Sequence, residues 1–493
     1  MRFLILFQKN FFPIILLLLL FPLFFINLSG YHGWGDDFAQ YIHQAINVTK
    51  GVPPAQTGHI LNEKGIIGPS AYPMGFPLLL APVYALWGNN MLFFQYYMTG
   101  LLIALGLVCY RFFSRFTSVW LALGGCLWLV YHPWVLAFKA DILSEIPYTL
   151  FLMAAVSGWL YGNGRHKATK TGLLVGFAIL IRPMGVVFLG AIVAEAVLKS
   201  LGDIGKKPEE RQWKTMMANA GLTVLVALGV YFLVEKILFP MPSEGSYISL
   251  IMEHSPAEYF FKNLTQYGKS LEEFVFPAGK NRIAWAGAII AGVLLLVGIA
   301  NKWRSYPLPL LMVVIHIIML GVYPYFQGSR FLFPVIPLVL FYFFSGVNIL
   351  VERTKTKKFA TPVFLGVLLM FYVPSVYTFY KKTQLPITSG PQQKVADETF
   401  SYIRQELPPN ARILFHKPRA LALYSGKSSM FPGYMTPEVM WDFFLTKNMT
   451  HFLINEWMET QAERDFMEEN GCHLTLIFQN GRYRLYSIDY GDY

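Results

Sequence analysis

The sequence predicts a polytopic α-helical membrane protein of about eleven spans, with large outside loops and a small C-terminal soluble α/β domain. Three observations carry this expectation. The chain has 493 residues, of which 55% are hydrophobic and only 14% charged, whereas a soluble domain carries roughly 25% charged residues. Mean hydropathy is +0.43. Apolar runs of span length recur over most of the chain, and the loops between them alternate in charge. The formal net charge of +11 is scattered over those short loops, so it reads as membrane topology and not as a nucleic-acid surface. The three cysteines, Cys109, Cys126 and Cys472, show no metal-ligand spacing and imply no disulfide framework.

The first apolar run, Phe11 to Leu28, follows Arg2 and Lys9. It is too long for a signal-peptide core and no small-residue cleavage site follows, so it reads as a retained first span. Further spans are expected at 91–111, 118–137, 143–161, 215–238, 283–301, 305–325, 331–350 and 359–379. The runs 171–182 and 184–199 are short for a span. They are expected to form a re-entrant or thin hairpin with Arg182-Pro183 at its outer turn, lining protein or a wet cavity.

With the N-terminus in the cytoplasm, the inside loops hold Arg111 and Arg115, then Lys167 and Lys170, then Lys199 and Lys214, then Lys302 and Arg304. The alternate loops hold Asp36, Asp37, Asp141, Glu145, Glu272 and Glu273. This is the positive-inside asymmetry of a multi-pass protein of the cytoplasmic (inner) membrane. The spans and their outside loops, 30–90 and 240–282, form an expected module over residues 1–380. Residues 386–493 alternate helix and strand patterns and end in "LTLIFQNGRYRLYSI", a hairpin on an Asn-Gly turn. By span parity this domain sits outside, and it is expected to shape acceptor access without supplying a catalytic group.

The acids at span edges all fall on the outer side. Ionised groups are costly near hydrocarbon and are kept there for function. Asp36 and Asp37 open the helix pattern "DFAQYIHQAINVTK", in which either can serve as the N-cap, with Tyr41 one turn on. In "FKADILSEIPYTLF", Asp141 and Glu145 stand at i and i+4, one helical turn apart, and are expected to share a face; the alternative is a pair of solvated caps. Arg182 and Arg330 are cations at outer span ends, against the topological trend. Arginine matches phosphate through its planar fork of donors, and snorkelling is the alternative. His32, His43 and His59 share the first loop with the aspartates. A divalent metal is conceivable there, although the spacing fits no compact ligand motif.

Taken in order, "GDDFAQY", "YPMGFPLLLAP", "LSEIPYTLF", "RPMG" and "GSRFLFPVIP" resemble the GT-C glycosyltransferases, in particular bacterial relatives of protein O-mannosyltransferases and of the lipid A aminoarabinose transferase. The resemblance covers roughly residues 1–380. It implies a polyprenyl-phosphate sugar donor, an acceptor that is a glycan, lipid or protein, and no nucleic-acid partner. It implies that Asp37, with Tyr41 four residues on, is the catalytic carboxylate, with Asp36 beside it, and that Glu145 is the second acid. Relatives often place a lysine where this chain has Tyr72-Pro73-Met74, so Arg330 is the replacement candidate for the donor phosphate. Chemically, one base and one cation suffice for direct displacement of a phosphate ester, with inversion at the anomeric carbon. The competing readings are a transporter or flippase of lipid-linked glycans, and a polymerase or ligase using such donors. The clustering of acids on one face and the absence of a sequence repeat favour an enzyme over the transporter; the polymerase or ligase shares the polytopic form and the large outer loop, and stays open.

Overall fold

The computed structural model describes residues 12–62, 68–164, 166–202, 213–242, 256–275, 282–353, 377, 381, 389–433 and 436–491. In chain order its main helices are α1 (Phe12–Phe25), α2 (Asp37–Thr49), α3 (Gly75–Trp87), α4 (Met91–Phe113), α5 (Val119–Val130), α6 (Pro133–Ala140), α7 (Glu145–Tyr161), α8 (Lys167–Ile181), α9 (Val186–Gly202), α10 (Trp213–Phe232), α11 (Pro256–Val275), α12 (Arg282–Lys302), α13 (Pro307–Val322), α14 (Ile336–Arg353), α15 (Lys394–Glu406), α16 (Pro418–Ser425), α17 (Pro437–Thr446) and α18 (Gln461–Asn470). The strands are β1 (His59–Ile60), β2 (Arg412–Leu414), β3 (Ser428–Met430), β4 (His451–Asn455), β5 (Leu474–Asn480) and β6 (Tyr483–Ile488).

Two compact units result. One comprises Met1–Leu28, Gln95–Leu238 and His254–Leu385; the other comprises Ser29–Phe94, Phe239–Glu253 and Pro386–Tyr493. The first long loop thus folds with the C-terminal segment and not with the spans, unlike the division expected near residue 380. The reason lies in strand pairing: β1 extends the C-terminal sheet by pairing with β3, His59 opposite Ser429. A strand of two residues carries no periodicity that a sequence could reveal.

The helical unit follows from its apolar runs. Among the described residues, Met91–Phe113, Pro183–Gly202, Trp213–Leu238, Trp285–Lys302 and Ser329–Glu352 are each long and apolar enough to cross a bilayer, and α5 with α6, bent by 52°, makes a further candidate. The expected span at 359–379 lies outside the described residues. The second member of the expected short hairpin starts at Pro183 and runs 20 residues. That is span length, because the helix continues through Lys199 to Gly202, past the apolar run.

The bend between α5 and α6 has a local cause. Pro133 lacks an N–H and its ring blocks continuation of the α5 ladder. His132 restarts the chain as the cap of α6, accepting from the Trp134 amide at 3.3 Å. Its Nε2 lies 2.8 Å from the Phe274 carbonyl, and its ring stacks on Phe274 with centroids 3.8 Å apart, which fixes α11 against the bend. Lys139, fully buried near the end of α6, donates from Nζ to the Leu23 and Ile26 carbonyls at 3.1 and 2.6 Å. It satisfies acceptors that the end of α1 would otherwise leave open.

Helices α12 and α14 cross at reciprocal glycines. A Cβ on Gly298 would stand 1.8 Å from the Tyr342 carbonyl oxygen, and one on Gly346 would stand 1.9 Å from that of Leu294. Small residues of this kind let two backbones touch within a membrane.

The second unit is a six-stranded sheet in the order β1-β3-β2-β4-β6-β5. β1, β3, β2 and β4 run parallel, and β6 and β5 close it antiparallel. Residues alternate between its faces, as a pleated strand requires. Ile413, Leu453 and Leu485 pack with Ala396, Phe400 and Ile403 of α15, while Leu414, Phe452 and Ile454 pack with Met440, Phe444 and Phe466 of α17 and α18. α2 lies on α3 through Tyr41 and Phe76, whose rings are 4.8 Å apart.

Gly298→Leu is expected to lower the melting temperature in detergent, since overpacking of this kind costs about 1–3 kcal/mol. Gly292→Leu, on the same helix with nothing within 4 Å of the added Cβ, should leave the melt unchanged.

Candidate functional site

The sequence candidates fall into two clusters, one in each unit. In the helical unit the chain turns sharply before α7. Asp141 is the C-cap of α6, Ile142 takes a left-handed φ of 49°, and α7 begins at Glu145. Asp141 and Glu145 therefore do not share one continuous helix face. The i, i+4 expectation fails because the turn interrupts the helix between them.

Glu145 is fully buried. Its Oε1 accepts from Arg182 Nη1, at the turn between α8 and α9, and from Arg330 Nε at 2.5 Å. Arg330 stands in the short turn Ser329–Leu332 that leads into α14. Arg182 is also buried; its Nη1 lies 3.4 Å from Ser144 Oγ, and its guanidinium lies over the Phe331 ring at 4.6 Å. Glu145 Oε2 and the Tyr148 hydroxyl, also buried, have no hydrogen-bond partner among the described residues. Two guanidinium groups against one carboxylate leave one positive charge in excess. A cavity of about 400 Å³ opens beside Arg330, with Lys269, Gln266, Gln327 and Trp134 in its wall and one acid, Glu273. Excess positive charge with amide and ammonium donors around a partly apolar cavity suits a phosphate carried on a lipid.

In the other unit, Asp36 and Asp37 open α2, but neither acts as expected of a cap. Asp36 holds the N-cap position in the helical region (φ −96°, ψ −19°) and makes no side-chain cap bond to α2; a capping side chain needs an extended backbone there. Instead, Asp36 Oδ1 accepts from the Ala420 amide at 3.1 Å, so it caps the first turn of α16. A carboxylate suits a helix N-terminus because the amides there point outward unpaired. Burial raises the Asp36 pKa, opposed by the Arg419 charge and by that amide.

Asp37 Oδ1 accepts from the Tyr72 hydroxyl at 2.6 Å and from Arg419 Nη1 at 3.4 Å. Arg419 Nη1 also donates to the Tyr72 hydroxyl oxygen at 2.5 Å, and its Nε lies 3.8 Å from Asp36 Oδ2. The Arg419 guanidinium rests 4.7 Å above the Tyr72 ring. Gln44 steadies the Tyr72 backbone by donating to its carbonyl at 3.1 Å. Tyr41 is buried edge-to-face against Tyr72 at 5.2 Å, so it packs behind the cluster. Here two carboxylates share one guanidinium, and the Lys417 charge also acts on Asp36.

Arg419 is the residue that sequence reasoning missed: it brings a side chain of the C-terminal segment, which was expected to supply no catalytic group, against both acids. Its helix carries readable signals: Pro418 at the first position and Gly426 closing it in a left-handed conformation, φ 72°, the usual start and stop of a helix.

His59 does not approach a ligand set. Both its ring nitrogens are buried without a hydrogen-bond partner among the described residues, and burial, with the Arg419 charge, pushes its pKa well below the usual value. His32 stacks on Phe38, centroids 3.5 Å apart. Among the described residues no three His, Cys, Asp or Glu side chains are placed to hold a metal ion.

No protein-family profile matches the sequence, and no characterised protein matches it at the sequence level. Solved structures do match. ArnT from Cupriavidus metallidurans, solved bound to undecaprenyl phosphate, aligns with a TM-score of 0.62 at 13% identity, covering 96% of this chain and 97% of that chain. The archaeal oligosaccharyltransferase AglB from Archaeoglobus fulgidus, solved with an inhibitory peptide and a dolichol-phosphate, aligns with a TM-score of 0.62 at 11% identity, covering 99% of this chain and 75% of that chain. Both are members of the GT-C superfamily. The chain has the GT-C fold. At these identities the likeness is one of architecture, and it agrees with the resemblance carried by the sequence motifs.

Two outcomes are expected. Arg419 holds a positive charge against Asp36 and Asp37, so Arg419→Ala, which takes away the guanidinium that the two carboxylates share, should lower the melting temperature; an unchanged melt would separate Arg419 from the pair. Burial lowers His43 to about 4, against about 6.5 in the unfolded chain. The folded chain then binds fewer protons than the unfolded one between those values, so stability falls as pH drops through 6.5. The loss from pH 6.5 to 5 is about 2 kcal/mol, and thermal melts of His43→Leu should show a flatter pH dependence than those of the parent.

Proposed function

We propose that the protein is an inverting glycosyltransferase. It moves a hexose or pentose from a polyprenyl-phosphate donor to an acceptor hydroxyl at the outer face of the cytoplasmic membrane. The observation that carries this reading is the Arg182–Glu145–Arg330 group: two buried guanidiniums on one carboxylate oxygen, with a cavity at Arg330. The shared fold with a protein solved on undecaprenyl phosphate and another solved with dolichol-phosphate supports the same donor class.

In this mechanism Arg330, aided by Arg182, binds the donor phosphate. Glu145 holds the two guanidiniums in place and is a positioning residue, not a base, since its Oε1 is already committed to both. Asp37 takes the proton from the acceptor hydroxyl. The acceptor oxygen forms its bond to the anomeric carbon as the bond from that carbon to the phosphate oxygen breaks. The bonding electrons leave on polyprenyl phosphate, whose charge the arginines stabilise. Attack opposite the leaving group inverts the anomeric centre. Tyr72 donates to Asp37 and orients it, and Arg419 donates to the same oxygen.

The test is transfer by purified protein supplied with undecaprenyl-phosphate sugar and an envelope extract as acceptor source. Undecaprenyl phosphate should be released in step with product. Asp37→Asn removes basicity with little change of shape, and the rate should fall about 10²–10⁴-fold with an unchanged melt. Full activity in Asp37→Asn, or movement of the lipid-linked sugar across the membrane without bond cleavage, contradicts the proposal.

A further inference from the structure

The helical unit holds a second cleft, which shares no residue with the cavity at Arg330. It lies at the other end of α7: Glu145 opens that helix and Tyr161 closes it, about 24 Å apart at 1.5 Å per residue. This approaches the roughly 30 Å thickness of a bilayer's hydrocarbon core. The cleft has a volume of about 260 Å³ and is lined by Arg111, Arg115, Ser157, Gly158, Tyr161 and Gly162, with Phe112 at its side.

Its donor set is one-sided. Arg111 stands in the last turn of α4, and Arg115 follows four residues on. No acidic side chain lines the cleft, and among the described residues neither arginine has a carboxylate within ion-pair distance. The Arg115 guanidinium sits 4.3 Å above the Tyr161 ring, which holds it at the cleft. The Ser157 Oγ and the Tyr161 hydroxyl are both buried and lack a hydrogen-bond partner among the described residues. The stem of Lys167 lies against Gly162, its Cγ 3.3 Å from where a Cβ there would stand, while its Nζ sits over the Trp159 ring at 5.5 Å. Guanidinium forks and hydroxyl donors around a small volume match a phosphate, which is acceptor-rich and anionic. The depth along α7 matches a lipid headgroup on the face that carries the basic loops.

We propose that this cleft binds the phosphate of an anionic membrane lipid, in the leaflet opposite the Arg330 cavity. A glycerophospholipid and polyprenyl phosphate both present that group, and the experiment distinguishes them. Purified full-length protein in neutral detergent is titrated with phosphatidylglycerol, and separately with undecaprenyl phosphate, with bound lipid counted by native mass spectrometry. Three variants are compared with the parent: Arg111→Gln with Arg115→Gln, Ser157→Ala with Tyr161→Phe, and Arg330→Gln.

Phosphatidylglycerol affinity should fall roughly thirtyfold in the double arginine variant, from about 1 kcal/mol per basic residue. It should fall severalfold in the hydroxyl variant and stay unchanged in Arg330→Gln. If polyprenyl phosphate is the occupant, the double arginine variant instead loses an equivalent of undecaprenyl phosphate that Arg330→Gln retains. The hydroxyl variant keeps every charge and so keeps the membrane topology, which covers the case in which the arginine variant does not fold. Unchanged affinity for both lipids in the hydroxyl variant, or in a folded arginine variant, overturns the proposal and leaves the arginines with topology alone.

Discussion

A single oxygen atom, Oε1 of Glu145, ties together the start of α7, the turn from α8 to α9 and the turn that leads into α14. It accepts from both Arg182 and Arg330, and each guanidinium belongs to a different stretch of chain. Burying charges costs free energy that only close pairing offsets. A single Arg–Glu pair would be neutral and less costly to bury. The second arginine leaves the group positively charged, beside a cavity. An arrangement that gives up stability locally in this way is expected where a ligand completes it. In the same unit α5 and α6 bend by 52° at Pro133, and the reciprocal glycines let α14 lie close to α12.

In the other unit the arrangement is reversed: two carboxylates, Asp36 and Asp37, share one guanidinium, that of Arg419. The two aspartates differ in their commitments. Asp36 is spent on the N-terminus of α16 and on ordering the C-terminal segment against α2. Asp37 receives the Tyr72 hydroxyl and is the more exposed of the two, its side chain 25% accessible against 13%. Adjacent residues at a helix start point about 100° apart, which separates a structural carboxylate from one open to a proton.

Much of this was legible in the sequence. The long apolar runs, their basic and acidic loops, and the helix and strand patterns of the C-terminal segment follow from periodicity and charge. Asp37, Glu145, Arg182 and Arg330 stood out because a charge at a span edge is costly. What they touch was not legible. Arg419 is 382 residues from Asp37, and no local pattern announces a partner at that separation. The cap reading of Asp36 failed because capping depends on the backbone conformation of one residue. The face shared by Asp141 and Glu145 failed because a left-handed Ile142 is invisible in a sequence that otherwise reads as continuous helix. The spans at the turn between α8 and α9 looked short because hydropathy ends before the helix does.

The central claim is that Arg330 and Arg182 form a lipid-phosphate site held open by Glu145. Its most direct test removes the chemistry and measures binding alone: the affinity of the purified protein for undecaprenyl phosphate, with no sugar attached, in Arg330→Gln beside the parent. Arg182 still neutralises Glu145 in that variant, so the fold should persist, as a thermal melt would show. Loss of a charge-assisted contact of about 1.5–3 kcal/mol predicts an affinity weaker by at least about tenfold. Equal affinity in a normally folded Arg330→Gln would contradict the account.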